Sequence, residues 1–214
     1  IPSEKPSFSK KLDVRLYEEP YLALEATRHT IEEEFLALMH HINALLGAKD
    51  HEETNLTQLQ IALTNTQHYL DGINPKEKGS QWKQVISFIH VLDHMHRLHE
   101  RCFEEPERAK RVRRSHYLEE KRHELMRQNA LIIEAISLKQ YAKAKKSAKK
   151  SAKEIHKSLG QYRADITTKM ANDEIEMHLG TKHLQAMRWL VRTTRHISRI
   201  CYHLEEATYL SSET

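Results

Sequence analysis

Apolar residues recur at helical spacing along almost the whole chain of 214 residues, and this period most limits what the chain can fold into. Pro20 and Gly47 bracket the clearest example, as is usual at the first turn of a helix and just past its end. No stretch alternates as a strand does, and glycine and proline number only five each. The sequence therefore predicts an all-α fold. The apolar residues of that first helix are Leu24, Ile31, Phe35, Leu38, Met39, Ile42, Leu45 and Leu46.

The positions of apolar residues, glycines and prolines predict six helices in all. After the first, over residues 21–46, we expect helices over about 52–70, 80–103, 115–136, 138–170 and 172–209. The side chain of Asn172 is suited to cap the last of them. The composition of residues 1–19 predicts a linker, followed by one three-helix unit over 20–105 and a second over 106–214.

The third and sixth predicted helices resemble each other at a constant offset of 102 residues. His94 matches His196 and Arg97 matches Arg199, and the apolar residues match in the same register. We therefore expect a duplication, with two repeated antiparallel three-helix bundles. The apolar matches are Phe88 with Leu190, Ile89 with Val191, Met95 with Ile197, Leu98 with Ile200 and Cys102 with Leu204.

Charge and composition exclude several classes of protein. The formal net charge is only +4, which is not the strongly basic balance of a chain that coats nucleic acid. No run of about 18 apolar residues is present, so no membrane span is predicted, and no signal peptide is recognisable. The chain begins at Ile1 rather than at methionine, which suggests a fragment, so a membrane part could lie outside it. Cys102 and Cys201 fall inside helical patterns and indicate a reducing compartment.

The stretch HVLDHMHRLHER, residues 90–101, concentrates four histidines, an aspartate and a glutamate in the third helix. At helical spacing, Asp93, His96 and Glu100 form one stripe at the edge of the apolar face, and His99 points into that face. Imidazole and carboxylate together suit zinc, iron, nickel or manganese, so this stripe is a candidate metal site. Further ligands would have to come from other helices. The candidates for those ligands are His40, His41 and His68.

An alternative interpretation needs no metal. Asp93 and Glu100 then pair with Arg97 and neighbouring cations on the helix surface, and His96 and His99 are packed or hydrogen-bonded. In either case we expect His90 and His94 to point to solvent. The equivalent stripe of the sixth helix contains only one good metal ligand, so no second site is expected there. Its residues are Thr194, Ser198, Tyr202 and Glu205.

Residues 139–157, KQYAKAKKSAKKSAKEIHK, contain eight lysines against one acid. A solvated helix face is the simplest interpretation. If the domain lies beside a bilayer, anionic lipid headgroups become partners, because the lysines then lie within a Debye length of the membrane. Nucleic acid is not expected, since no stacking aromatics and no helix-turn-helix or zinc-finger spacing accompany the lysines. The lysines expected to contact lipid are Lys145, Lys146, Lys149 and Lys150.

Enzymatic signatures are absent from the sequence. It contains no glycine-rich phosphate loop and no HExxH, GxSxG or CxxC motif. Ser198 and His196 lie two residues apart and face different ways on a helix, so they do not form a nucleophile and its base. We therefore expect a protein without catalytic activity. The alternative is a metal-binding helical bundle with a redox or storage role, for which Glu120 and His123 supply a single Glu-x-x-His pair.

Several of these stretches resemble PhoU-like domains. DHMHRLHER and RHISRICYH are similar to the twin Glu-Arg-Ile-Gly-Asp type signature of that family's third and sixth helices. LDVRLYEEPYLALEATRHTI, residues 12–31, is similar to the start of the PhoU-like domain that follows the membrane part of bacterial sodium/phosphate cotransporters. Matched residue by residue, the family's metal-binding acids fall on His96 and Glu100 in the first copy and on Ser198 and Tyr202 in the second.

The resemblance covers residues 12 to about 209. It implies a regulatory domain of phosphate transport, on the cytoplasmic side of the inner membrane, that acts with a transporter membrane domain in the same chain or in a partner protein. The resemblance is also compatible with a homo-oligomer. It also supports a divalent or iron-type metal ion at Asp93, His96 and Glu100, with at most one occupied site, in the first half of the chain.

Overall fold

The computed structural model describes residues 8–51, 53–75 and 79–211, and within these ranges the chain is helical, without a strand. The all-α prediction is therefore confirmed. Short 3-10 turns occur at Phe8–Lys11, Val14–Glu18 and His116–Leu118. The α-helices of this part of the chain number seven: α1 Pro20–Leu46, α2 Leu56–Asp71, α3 Ser80–Phe103, α4 Pro106–Arg114, α5 Glu119–Ser137, α6 Tyr141–Ala171 and α7 Met177–Ser211.

The predicted count of six helices is wrong, because residues 106–114 form a helix of their own, α4. Pro106 begins it at a first-turn position, where the missing N–H costs no hydrogen bond. Ala109 and Val112 are buried, while Arg113 and Arg114 remain exposed. Two apolar residues are too few to distinguish a helix of nine residues from a charged connection by periodicity.

α1 begins and ends as its sequence predicts. Pro20 occupies the first turn, and Gly47 follows the helix with φ of 100°, a left-handed conformation that favours glycine. The N–H of Gly47 donates to Ala44 O at 2.9 Å. Arg122 of α5 completes this helix end, because its Nη1 donates to Leu46 O at 2.8 Å. The C-terminus of α1 is therefore held by both a local turn and a neighbouring helix.

α2 begins later than predicted because of a side-chain cap. Asn55 accepts the backbone N–H of Gln58 at its Oδ1, 3.1 Å away, which sets the first helical residue at Leu56. Glu52, the predicted first residue, lies outside the described residues. The same applies to residues 1–7 of the predicted linker.

α7 also begins later than predicted, at Met177, and Asn172 does not cap it. Asn172 instead follows the end of α6, and its Nδ2 donates to Glu174 Oε1 at 3.2 Å. Asp173 has φ of 57°, so the chain turns sharply here. The turn lets α7 run back along α6, where the side chain of Met170 packs against Gly180. The residues between α6 and α7 belong to neither helix, and they allow the chain to reverse its direction.

α3 and α7 pack side by side and antiparallel, and they form the most extensive helix pair of the fold. Ser87, near the start of α3, donates its hydroxyl to Glu206 near the end of α7, at 3.0 Å. At the other end of the pair, Trp189 Nε1 donates to Arg101 O at 2.9 Å. α6 packs along α7 and α5, and α1 packs against α2, α3, α4 and α5. Buried apolar residues of all seven helices join in one continuous core.

A buried carboxylate connects α1 to the junction of α5 and α6. Glu32 is only 2% exposed, and it accepts hydrogen bonds from Arg28, from the Tyr141 hydroxyl and from Lys139. Lys139 has φ of 59°, which turns the chain between the two helices. Removing a partner from a buried charge of this kind is expected to destabilise the fold.

A second buried carboxylate, Glu34 of α1, forms no ion pair with any of the residues that the structure describes. Its Oε1 lies 2.7 Å from Thr66 Oγ1 of α2, and its Oε2 has no hydrogen-bond partner. Burial raises the pKa of Glu34 to about 8, against a smaller lowering by the Thr66 hydrogen bond. The Thr66 hydroxyl also lies 3.0 Å from Ala62 O, and it has one proton for two acceptors. A protonated Glu34 resolves this conflict, because it donates to Thr66, which then donates to Ala62 O.

Residues 8–18 of the predicted linker are folded against α1 and α2. The Asp13 side chain accepts the N–H of Arg15 at 2.9 Å, and Leu16 packs against the core. The hydroxyl of Tyr17 donates to Tyr69 O at 3.0 Å, and the hydroxyl of Tyr69 donates to Asp13 O at 2.8 Å. This segment therefore belongs to the folded unit that begins with α1.

Candidate functional site

The three predicted metal ligands lie on α3 as its period requires, and two of them are paired with arginines. Asp93 Oδ2 accepts from Arg97 Nε at 3.0 Å, and Glu100 lies 3.8 Å from Arg101. Asp93 and Glu100 line an open groove between α3 and α7, and His96 is not among its lining residues. These ion pairs agree with the alternative that needs no metal.

His96 is half-buried, which lowers its pKa. His99 lowers it further, whereas Glu100 and Asp93 raise it. The imidazole is therefore neutral at pH 7 and able to bind a metal. Within the part of the chain that the structure describes, however, no three side chains of His, Cys, Asp or Glu are grouped closely enough to hold one. The arrangement fits a metal poorly, and the site at Asp93, His96 and Glu100 stays a prediction.

Two of the other histidines have structural partners. His99 is buried, as predicted, and its Nε2 donates to Leu56 O at 2.6 Å, which attaches α3 to the start of α2. His41 is also buried, and its Nδ1 accepts the N–H of Thr54 at 3.1 Å. Both rings bond to backbone groups at the start of α2: His41 to Thr54, just before the helix, and His99 to Leu56, its first residue. His68, in contrast, is exposed on α2.

The prediction that His94 points to solvent is wrong, because α7 lies over it. The Nδ1 atoms of His94 and His196 are 3.2 Å apart, so one ring donates to the other. Both residues are half-buried. Burial lowers the pKa of His94, and burial together with His94, Arg97, Arg101 and Arg195 lowers the pKa of His196 to about 4. The pair is therefore neutral at pH 7.

His90 is exposed, as predicted, but it is not alone. Its ring stacks on His203 of α7, with centroids 4.9 Å apart. The Nδ1 of His203 lies 3.2 Å from Glu206 Oε2, the atom that also accepts from Ser87. Four histidines thus line one seam of the α3–α7 pair. We call this set, His90, His94, His196 and His203, the histidine seam.

The groove beside the histidine seam has a volume of about 440 Å³, and we call it the arginine groove. Its walls contain four arginines but only two carboxylates, a formal excess of two positive charges. Helical spacing brings the arginines together, since each helix contributes two that lie on one face, three or four residues apart. The lining residues are Asp93, His94, Arg97, Glu100, Arg101, Arg192, Arg195 and His196.

The stripe of α7 that corresponds to the predicted metal site is occupied by structural contacts. Thr194 is buried, and its hydroxyl donates to Leu190 O at 2.9 Å. Glu205, its only good metal ligand, accepts from Lys145 of α6 at 2.8 Å. The absence of a second site in this helix stays a prediction.

That contact also changes the expected lipid-binding surface. Lys145 lies against α7, with its Nζ 5.5 Å from the centre of the Tyr202 ring, and is not part of the open face. Lys146, Lys149 and Lys150 are exposed. Ala144 and Ala148 are buried on the opposite side of α6, so the lysines face away from the core. We call the three exposed residues, Lys146, Lys149 and Lys150, the lysine face.

Sequence reasoning missed the arginine groove. The stretch RTTRHISRICYH is recognisable as the partner of HVLDHMHRLHER, but the positions of Arg192 and Arg195 opposite Arg97 and Arg101 depend on the antiparallel packing. The sequence feature that could have indicated the groove is the spacing of Arg192, Arg195 and Arg199 along one helix. That spacing alone is typical of any solvated helix face.

Comparisons of the chain with protein-family models, with curated proteins and with solved structures find no match. None of the described helices combines the length and the apolarity needed to cross a bilayer.

Proposed function

We propose that this chain is a non-catalytic regulatory and interaction domain of phosphate transport. It acts with the membrane domain of a transporter, in the same chain or in a partner protein, on the cytoplasmic side of the inner membrane. The proposal rests on the resemblance of the α3 and α7 stretches to the PhoU-like twin signature, and on one observation about how these two helices pack.

That observation is the contact between His94 and His196. These residues correspond to each other at the offset of 102 residues, and their Nδ1 atoms meet at 3.2 Å. In two antiparallel helices related by a twofold axis, residues that touch their own equivalents lie at the axis. The contact therefore supports a pseudo-twofold relation between two three-helix units, α1–α3 and α5–α7, with α4 as the connection.

The burial of equivalent residues supports the same relation. Phe88 and Leu190 are both buried, as are Leu98 and Ile200. α1 and α5, the first helices of the two units, are also antiparallel, since Leu46 meets Arg122 at one end and Glu32 meets Lys139 at the other. A twofold axis perpendicular to the helices makes equivalent helices antiparallel, and both pairs, α3 with α7 and α1 with α5, have this arrangement.

The lysine face supports a position beside a membrane. Among the described residues, Lys146, Lys149 and Lys150 have no ion-pair partner. Unpaired ammonium groups on a rigid helix are attracted to anionic headgroups within about a Debye length of roughly 8–10 Å. A domain tethered to a transporter would hold this face at such a distance.

Two measurements test the proposed function. The coding sequence upstream of Ile1 should encode transmembrane helices, or a neighbouring gene should encode the transporter. Phosphate uptake, measured at low and high external phosphate in cells with the gene intact, deleted and restored, should lose its response to phosphate supply only in the deletion. An identical uptake response in all three strains would contradict the proposal.

A further inference from the structure

The arginine groove contains cations that the fold itself does not use. Arg192 and Arg195 are exposed, and in the described part of the chain neither has a hydrogen-bond or ion-pair partner. Opposite them, Arg97 is paired with Asp93, and Arg101 is paired with Glu105 at 3.2 Å. Two guanidinium groups at the same edge of one groove therefore remain free to donate.

Guanidinium groups have a geometry suited to oxyanions. Each presents N–H donors in a planar fork that matches two oxygens of a phosphate or sulfate group. Arg192 and Arg195 lie three residues apart, so both forks reach the same side of α7. On the α3 side of the groove, Asp93 and Glu100 form ion pairs with Arg97 and Arg101.

The charge of the groove favours an anion. Its walls contain four arginines against two carboxylates, and both carboxylates, Asp93 and Glu100, are already paired with arginines of α3. The α7 side of the groove, where Arg192 and Arg195 lie, therefore carries positive charge that no neighbouring acid offsets.

We propose that the arginine groove binds a phosphate-class oxyanion through Arg192 and Arg195. The physiological meaning of this binding rests on the proposed regulatory role. The binding itself is tested with the isolated chain, so a failure to bind phosphate is distinguishable from a failure to control phosphate uptake in cells.

Calorimetric titration of the chain with inorganic phosphate and with sulfate tests the binding step. R192Q/R195Q removes the two unpaired guanidinium groups, and K157Q/R163Q, a matched control, removes two exposed cations of α6 outside the lysine face. We expect R192Q/R195Q to weaken binding roughly tenfold or more, as the loss of charge-assisted hydrogen bonds implies, and the control to change it less than about twofold. Circular dichroism verifies that both variants remain folded.

Two sources of the oxyanion are distinguished by vesicles that contain phosphatidic acid. Binding of free phosphate that R192Q/R195Q weakens indicates a soluble ligand. Binding to vesicles alone, again weakened by R192Q/R195Q and not by K157Q/R163Q, indicates a lipid headgroup in the groove. Absence of both, or equal weakening by the two double variants, would overturn the proposal.

Discussion

Glu34→Gln should stabilise this protein at neutral pH, although it removes a buried carboxyl group from the core. Glu34 is fully buried between α1 and α2, with one oxygen facing Thr66 and the other unpaired. Burial raises its pKa from 4.5 to about 8. Glutamine has nearly the same shape and is neutral at every pH, and its amide can donate to Thr66 as the protonated acid does.

The magnitude follows from the two pKa values. Between pH 4.5 and pH 8 the carboxyl group is ionised in the unfolded chain and protonated in the folded chain, so the folded state binds more protons. The wild type therefore loses stability as the pH rises through this window. The contribution of Glu34 to this loss is about 1 kcal/mol at pH 5 and about 3 kcal/mol at pH 7.

Urea denaturation followed by circular dichroism measures this difference. The free energy of unfolding of Glu34→Gln should exceed that of the wild type by about 3 kcal/mol at pH 7 and by about 1 kcal/mol at pH 5. Other titrating groups contribute equally to the free energy of unfolding of the two proteins, so their contributions cancel when the proteins are compared at the same pH. Glu154→Gln, at an exposed position of α6, is the control and should show no such trend. A destabilised Glu34→Gln protein at pH 7, or a difference that does not change with pH, would refute this reasoning.

Other substitutions test the remaining interpretations. Replacing the three lysines of the lysine face with glutamine should abolish binding to anionic vesicles, whereas Lys145→Gln should have little effect. Added salt should weaken the binding of the wild type, and cosedimentation with vesicles measures the binding in each case. If a metal binds, metal analysis of protein purified without a histidine tag should find less of it in His96→Ala and Glu100→Ala, and unchanged metal content would reject the site. Tyr141→Phe should lower the free energy of unfolding by about 1–2 kcal/mol, because buried Glu32 loses a hydrogen bond, and an unchanged urea midpoint would contradict this.

The candidate site was only partly predictable from the sequence. The stripe of Asp93, His96 and Glu100 follows from helical spacing, and so does the burial of His99. Helical spacing did not predict the direction of His94, because the pattern of a single helix does not show which neighbouring helix packs over its polar edge. His94 became part of a buried contact only because α7 packs antiparallel to α3.

By itself, the sequence determined the all-α fold and the limits of α1 and α3, because apolar period, Pro20, Gly47 and Pro106 act within a few residues of one another. The short helix α4 and the start of α7 depended on packing, since their local patterns are weak. Only the tertiary structure decided that Arg192 and Arg195 face Arg97 and Arg101 across one groove. Helical spacing determines which side chains share a face, but the partner of that face depends on contacts about a hundred residues away in the chain.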